Sequence, residues 1–167
     1  MNQKSCEAIE CAIKAGQARK AKEAAKKAKA DRAEFRARKD ALKPIQHFLK
    51  ATERACHAYI RERDKDQPCI SCGTWDALEF HAGHFIPVGR AKSIRYDEAN
   101  ISKQCDECNV HLNGNATAYE VRLIARIGKA EVERLKTAPK EKKWTREELK
   151  EIAATYRAKL KSLKDST

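Results

Sequence analysis

Two cysteine pairs dominate the chemistry available to this chain: Cys69-Ile-Ser-Cys72 and Cys105-Asp-Glu-Cys108, separated by 32 residues. Thiolates bind zinc tetrahedrally, and a two-residue gap lets both members of a pair reach one ion while backbone amides offset their charge. With all four thiolates engaged, the expected structural Zn2+ has no open position for water, so it belongs to folding rather than to catalysis. Its binding free energy, roughly 10–16 kcal/mol in zinc-finger peptides, exceeds what so short a segment obtains from burial. The rival reading is a redox role for either CxxC alone, but neither follows a clear βαβ unit. The other cysteines, Cys6, Cys11 and Cys56, are scattered. Seven cysteines in a secreted protein would suggest disulfides with one left over, whereas a reducing compartment favours thiolate chemistry.

Beside these pairs lie His81-Ala-Gly-His84, Asn100, Asn109 and His111, a dense group of imidazoles and amides in a lysine-rich protein. Imidazole titrates near neutral pH and can serve as a base, although any single histidine can equally be structural. In a regular strand, His81 and His84 face opposite sides, and Gly83 would relax that restriction by permitting a bulge.

The elements that must position these groups follow from periodicity and punctuation. From Lys14 to Lys43 there are 12 Lys or Arg against four acids, set in alanine, which predicts a basic helix ended or kinked by Pro44. A solvated helix face without a specific role is the plain alternative. Ile45, Phe48, Leu49, Thr52, Ala55, Cys56, Tyr59 and Ile60 recur at helical spacing, predicting an amphipathic helix from about Pro44 to Asp64 in which Cys56 is a small buried hydrophobe. Ala77 to Ile86 reads as a strand stopped by Pro87, and Arg90 to Glu98 as a basic loop, so a short hairpin is expected. Helical spacing returns at Tyr119, Leu123, Ile124 and Ile127, then at Val132 and Leu135, with Gly128 dividing the two pieces. Thr145-Arg-Glu-Glu148 has the capping-box arrangement and opens a last helix whose stripe is Leu149, Ile152, Ala153, Tyr156, Leu160 and Leu163. Trp75 and Trp144 are expected to be packing residues.

The chain therefore reads as α+β. Residues 1–43 form a basic helical extension, and residues 44–167 form a zinc-stapled domain with a short β-hairpin and C-terminal helices. A formal net charge of +12 and a pI near 9.5 favour a polyanion, with nucleic acid first and an acidic membrane surface as competitor. No run of about 18 apolar residues exists to span a bilayer, and no secretory leader is evident, which predicts a cytoplasmic protein. The candidate DNA-contacting cations are Lys20, Lys22, Lys26 and Lys27 of the extension and Arg90, Lys92 and Arg95 of the basic loop.

In order, His84, Asn100 with its Asn-Ile-x-x-x-Cys lead-in, and Asn109 directly after the second CxxC resemble the His-Asn-His/Asn motif of HNH nucleases. The zinc-flanked layout is also similar to the phage resolvase endonuclease VII. More narrowly, "IRERD", "PCISCGT", "AGHF", "KQCDECN", "GN" and the downstream Tyr-x-x-x-Leu-Ile-x-Arg-Ile-Gly resemble the lambdoid phage NinG (Rap) recombination endonucleases, over roughly Tyr59 to Leu163.

The resemblance implies a ββα-metal (HNH) core and cleavage of recombination intermediates such as D-loops and Holliday junctions, in the cytoplasm of a bacterial host. It implies that His84 activates water, that Asn109 contributes to a catalytic Mg2+ or Mn2+, and that Asn100 braces the loop around the histidine. His81 falls where relatives can carry an acidic residue, which makes it, with His111, a candidate ligand of that ion. Many HNH enzymes carry Asp, Glu or His immediately before the base, where this chain has Gly83. Cys6 and Cys11 resemble the remnant of a second zinc site without its partners. The products implied are 5′-phosphate and 3′-hydroxyl ends.

Phage or host recombination proteins are the implied partners beside DNA. A four-way junction has two strands to cut symmetrically, so a homodimer is the economical arrangement, with the stripes of the second and last helices as candidate contacts. Two rivals stand beside this reading: a zinc-containing DNA-binding recombination accessory protein without catalysis, and an HNH nuclease of ordinary duplex DNA.

Overall fold

The computed structural model describes residues 3–165. Two compact units meet at Pro44, Met1–Pro44 and Ile45–Thr167. The first is a single helix, α1 (Gln3–Leu42), whose Lys20, Lys22, Lys26 and Lys27 are all exposed. It begins well before Lys14, because the residues around Cys6 and Cys11 carry no helix breaker. The alanine-rich sequence favours helix while giving it little to bury. Cys11 is exposed on it, and the side chain of Cys6 lies outside the described residues.

The second unit runs α2 (Ile45–Arg63), β1 (Phe80–His84), β2 (Ile101–Cys105), α3 (Ala116–Ile127), α4 (Lys129–Lys136) and α5 (Arg146–Asp165). Helix α2 has nearly the expected bounds. Its buried stripe of Phe48, Thr52, Ala55, Cys56, Tyr59 and Ile60 packs against Leu149, Ala153 and Tyr156 of α5 and against Ala82 and Ile101 of the sheet. The stripes expected to serve a dimer are thus occupied by each other within one chain. Thr52 donates from its hydroxyl to the Leu149 carbonyl at 2.8 Å, which ties the two helices where both are buried. The Thr145 capping box forms as expected, with Thr145 N–H donating to the Glu148 carboxylate at 2.8 Å and Glu148 N–H to the Thr145 hydroxyl at 3.2 Å.

The sheet is one antiparallel pair, with Phe80 opposite Cys105, His81 opposite Gln104, Ala82 opposite Lys103, Gly83 opposite Ser102 and His84 opposite Ile101. Strand β1 is shorter than the expected Ala77 to Ile86. A turn in which the Thr74 hydroxyl accepts from Asp76 N–H at 3.1 Å precedes it, and Leu78, between that turn and the ladder, is fully exposed. The ladder is unbroken, so the bulge that Gly83 would permit does not form. A second cluster of Ile70, Phe85, Ile86, Ala91, Ile94, Tyr119, Leu123, Val132 and Leu135 joins α3 and α4 to the β1–β2 connection. Gly128, at φ +86°, supplies the break between these helices in a conformation that L side chains rarely adopt. Trp144 packs as expected, edge-on to Tyr96 at 5.3 Å. Trp75 does not; it is 66% exposed. Among the described residues, no helix is long and apolar enough to cross a membrane.

Candidate functional site

The four sulfurs of Cys69, Cys72, Cys105 and Cys108 lie within 4.8 Å of one another. Cys72 Sγ and Cys105 Sγ are 3.7 Å apart, close to the roughly 3.8 Å edge of a tetrahedron with 2.3 Å Zn–S bonds. The local chain explains the convergence. Cys69 N–H donates to Thr74 O at 2.8 Å and Gly73 N–H to Cys69 O at 2.9 Å, closing a knuckle in which Gly73 adopts φ +81°. The second knuckle leaves β2 directly into a π-helical turn, Glu107–His111. N–H groups then point at sulfur, from Cys105 to Cys69 at 3.4 Å, from Cys108 to Cys105 at 3.5 Å, and from the Asn115 amide to Cys108 at 3.4 Å.

Burial pushes the Cys105 and Cys108 thiols up. At Cys69 burial also acts upward, but backbone amides of Cys105, Cys72 and Ser71 outweigh it and bring the thiol to about 7. The donor set fits a thiophilic divalent metal, and these four cysteines can hold a structural metal such as zinc.

His84, the last residue of β1, is half-buried beside α2. Its Nε2 lies 2.9 Å from the backbone carbonyl of Arg95. A carbonyl only accepts, so Nε2 carries the proton and Nδ1 keeps the lone pair. The ring of His57 lies 5.5 Å away, and the Arg95 guanidinium is paired with Glu53, so α2 presents two charged or titratable groups to this corner. Burial pushes the His84 imidazole below its ordinary value, partly opposed by the Arg95 carbonyl and the Glu53 charge. At His57, burial and then the neighbouring His84 bring the imidazole down to about 4. For Glu53, burial raises the carboxyl, but the Arg95 hydrogen bond and charge more than reverse it. Both rings are therefore neutral at pH 7.

The β1–β2 connection that delivers Arg95 is held by Asn100. This fully buried amide accepts from Ile86 N–H at 2.8 Å and donates to Ile86 O at 3.1 Å and to Ile94 O at 3.3 Å. Side-chain alternation puts His81, Gly83 and Gln104 on the face opposite His84. Gln104 donates to the Ser71 hydroxyl at 2.7 Å and to Gly114 O at 2.6 Å, and its Oε1 is buried without a partner against Gly83. A Cβ on Gly83 would meet that oxygen at 2.1 Å and Asn109 Oδ1 at 3.0 Å. Asn109 and His81 therefore attend one face of the hairpin. His111 ends the π-helical turn, exposed. His84 stands across the sheet from them.

Of the loop cations, Arg90 is exposed, Lys92 pairs with Glu141 at 2.9 Å, and Arg95 is engaged by Glu53. Lys92 and Arg95, with Lys142, Lys143 and Trp144, line a cavity of about 340 Å³ beside the start of α2. Sequence reasoning passed over Lys142 and Lys143, and also Glu53 and His57. The signal for the last two was their i, i+4 spacing on one helix.

These features define a small α+β protein with a four-cysteine cluster that can hold a metal and a strongly basic composition. Residues 1–166 match the family model described as Bacteriophage Lambda NinG protein, and the chain belongs to that family. Protein ninG of Salmonella phage P22 is 49% identical over 129 residues, covering 77% of this chain and 64% of that one. Protein ninG of Escherichia phage lambda is 46% identical over 129 residues, 77% of this chain and 63% of its own length, and that of Escherichia phage 933W is 46% identical with 64% of its length matched. The chain thus spans slightly less than two thirds of these curated relatives. No solved structure matches it.

Proposed function

We propose that the chain is a metal-dependent endonuclease of the ββα-metal (HNH) type, acting in recombination on branched DNA. The observation that carries the proposal is His84. It is a neutral imidazole at the end of β1, held through Nε2 by the Arg95 carbonyl, so that Nδ1 is free to take a proton. The order of parts supports it: an antiparallel pair, then a turn bearing Asn109, with Asn100 bracing the connecting loop. The preference for D-loops and Holliday junctions rests on the family resemblance alone.

In the proposed reaction His84 Nδ1 removes a proton from water, the water oxygen bonds to phosphorus, and the P–O3′ bond breaks. The proton finally required by the departing 3′-oxygen comes from solvent. A divalent Mg2+ or Mn2+, when bound, supplies charge neutralisation at the phosphate. The resemblance gives Asn109, His81 and His111 as its holders, but Asn109 and His81 attend the hairpin face opposite His84, so at a phosphate beside His84 the ion would need ligands other than these, with water and the phosphate itself completing its shell. A Zn2+ held by Cys69, Cys72, Cys105 and Cys108 would be structural, because four thiolates leave no open position for water.

Cations on α1 and Arg90, Lys92, Lys142 and Lys143 would hold the DNA backbone. Host-cytoplasmic action, recombination-protein partners and a homodimer belong to the same proposal. The test is incubation of pure protein with labelled linear, forked and four-way DNA, in Mg2+, Mn2+ or EDTA, beside His84→Ala. Metal-dependent cutting that prefers branches and disappears in the variant is expected. Equal cutting by His84→Ala overturns the assignment, and binding without cutting favours the accessory-protein reading.

A further inference from the structure

Arg95 has its backbone carbonyl on one site residue and its side chain on another element. The carbonyl accepts from His84 at 2.9 Å. The guanidinium reaches Glu53 of α2, its side chain is only 21% exposed, and its Nε is buried without a partner. Apart from a 5.7 Å approach over the Tyr96 ring, Glu53 is the one partner found for that guanidinium among the described residues. A largely covered cation deprived of its carboxylate moves toward water, because an unpaired buried charge is strongly disfavoured. Arg95 sits at the end of the short 3-10 turn Lys92–Ile94, so its backbone would follow its side chain.

We propose that the Glu53–Arg95 ion pair is a positioning device for His84: it clamps the loop carbonyl that fixes the ring in its Nε2–H tautomer. Glu53 and Arg95 are thus positioning residues, and Arg95 acts through its carbonyl as well as its charge. His57, one turn after Glu53 on α2, has its ring 5.5 Å from that of His84. The groups facing His84 are Glu53 and His57 from α2 and Arg95 from the loop, with Arg61 further along α2 acting on His57. The catalytic consequence rests on His84 being the base, whereas the clamp itself does not.

The test therefore reads the ring directly, by long-range 1H–15N correlation of the histidines in the full chain, before activity is measured. In the unaltered protein, His84 should show the Nε2–H pattern at pH above its titration. Glu53→Ala and Arg95→Met should each mix the tautomers, and the double variant should be no worse than either, because both break one pair. Glu53→Gln keeps a neutral acceptor for Arg95 but not the charge, and should mix the tautomers less than Glu53→Ala does. On branched DNA, kcat should fall on the order of 10- to 100-fold in the disrupting variants, below the loss of a whole general base, with KM changed less than about twofold.

An unaltered His84 pattern in Arg95→Met, with the rest of the spectrum native, overturns the clamp. That variant carries the test alone if Glu53→Ala does not fold, since it leaves the carbonyl itself in place. If the tautomers mix but His84→Ala still cuts DNA, the clamp stands and the base assignment fails.

Discussion

A Cβ placed on Gly83 would lie 2.1 Å from Oε1 of Gln104 on the neighbouring strand. Gln104 cannot swing aside cheaply, because both its amide hydrogens are committed, to Ser71 and to Gly114. The glycine is therefore a matter of room rather than of backbone conformation. Gly83→Ala should destabilise the domain by about 2–3 kcal/mol through overpacking. Gln104→Ala should itself be destabilising, yet the double variant should lose much less than the two losses added. Urea titration of the three variants measures this, and strict additivity would show that the two groups do not compete for one space.

His57 should make the fold acid-sensitive well above the carboxylate range. Its imidazole drops from 6.5 to about 4 on folding, chiefly through burial. A group whose folded value lies below its unfolded one binds more protons in the unfolded chain. Stability is then complete above pH 6.5 and falls as pH falls toward 4. The loss across that window is on the order of 1–3 kcal/mol. His57→Phe should flatten this part of the curve, as followed by thermal unfolding at closely spaced pH. His84 adds to the slope in the same direction.

Asp64 governs a lower window. Although burial raises its carboxyl, Arg63 and Arg126 override burial and bring it from 3.8 to about 2. Its oxygens accept from Arg63 at 2.8 Å, from Arg126 at 2.5 Å and from Lys103 N–H at 3.1 Å, tying the end of α2 to β2 and α3. This stabilisation is present above pH 3.8 and is lost as pH falls through 2. Asp64→Asn should cost about 3–5 kcal/mol at neutral pH, because two partly covered guanidinium groups lose their carboxylate. A variant within about 0.5 kcal/mol of the parent would mean that the ion pairs are exchanged for water without loss.

The metal knuckle should be separable from the other cysteines. One zinc per folded chain is expected by elemental analysis, and Cys69→Ser or a strong chelator should unfold the hairpin region, since the knuckles have little apolar support of their own. Cys56→Ala, by contrast, removes one small buried group from the α2–α5 core and should cost only about 1–2 kcal/mol. Its thiol, pushed up to about 12 by burial, is unreactive toward thiol reagents in the native state. Metal-free folded protein would remove the structural assignment.

Periodicity and spacing were enough for α2, the division at Gly128, the capping box and the convergence of four cysteines, because each depends on nearby residues or on a metal's fixed geometry. Long-range packing was not legible. Nothing local says that Glu53 and His57 of α2 lie against His84, or that Gln104 fills the space over Gly83. Those placements arise from the register of β1 on β2 and from α2 crossing the sheet. Trp75 was misread for the same reason, since an isolated aromatic next to a CxxC looks like core until the knuckle turns it outward.

Helix α1 should supply affinity without shape preference. Twelve Lys or Arg against four acids between Lys14 and Lys43 give it a large positive excess. Its lysines at 20, 22, 26 and 27 are exposed, on a helix with almost no buried face. Such cations neutralise phosphates but present no set of groups for reading bases. Each phosphate neutralised releases counterions and adds roughly 0.9 to the slope of log affinity against log salt. A chain beginning at Ile45 should therefore bind linear, forked and four-way DNA more weakly by a similar factor, with a slope shallower by several units, measured by fluorescence anisotropy from about 50 to 200 mM salt. Any preference for branches should survive, since the proposed site lies wholly after Pro44. If the shortened chain binds junction and linear duplex alike while the full chain prefers the junction, α1 itself recognises DNA shape and the division of labour between the two units is wrong.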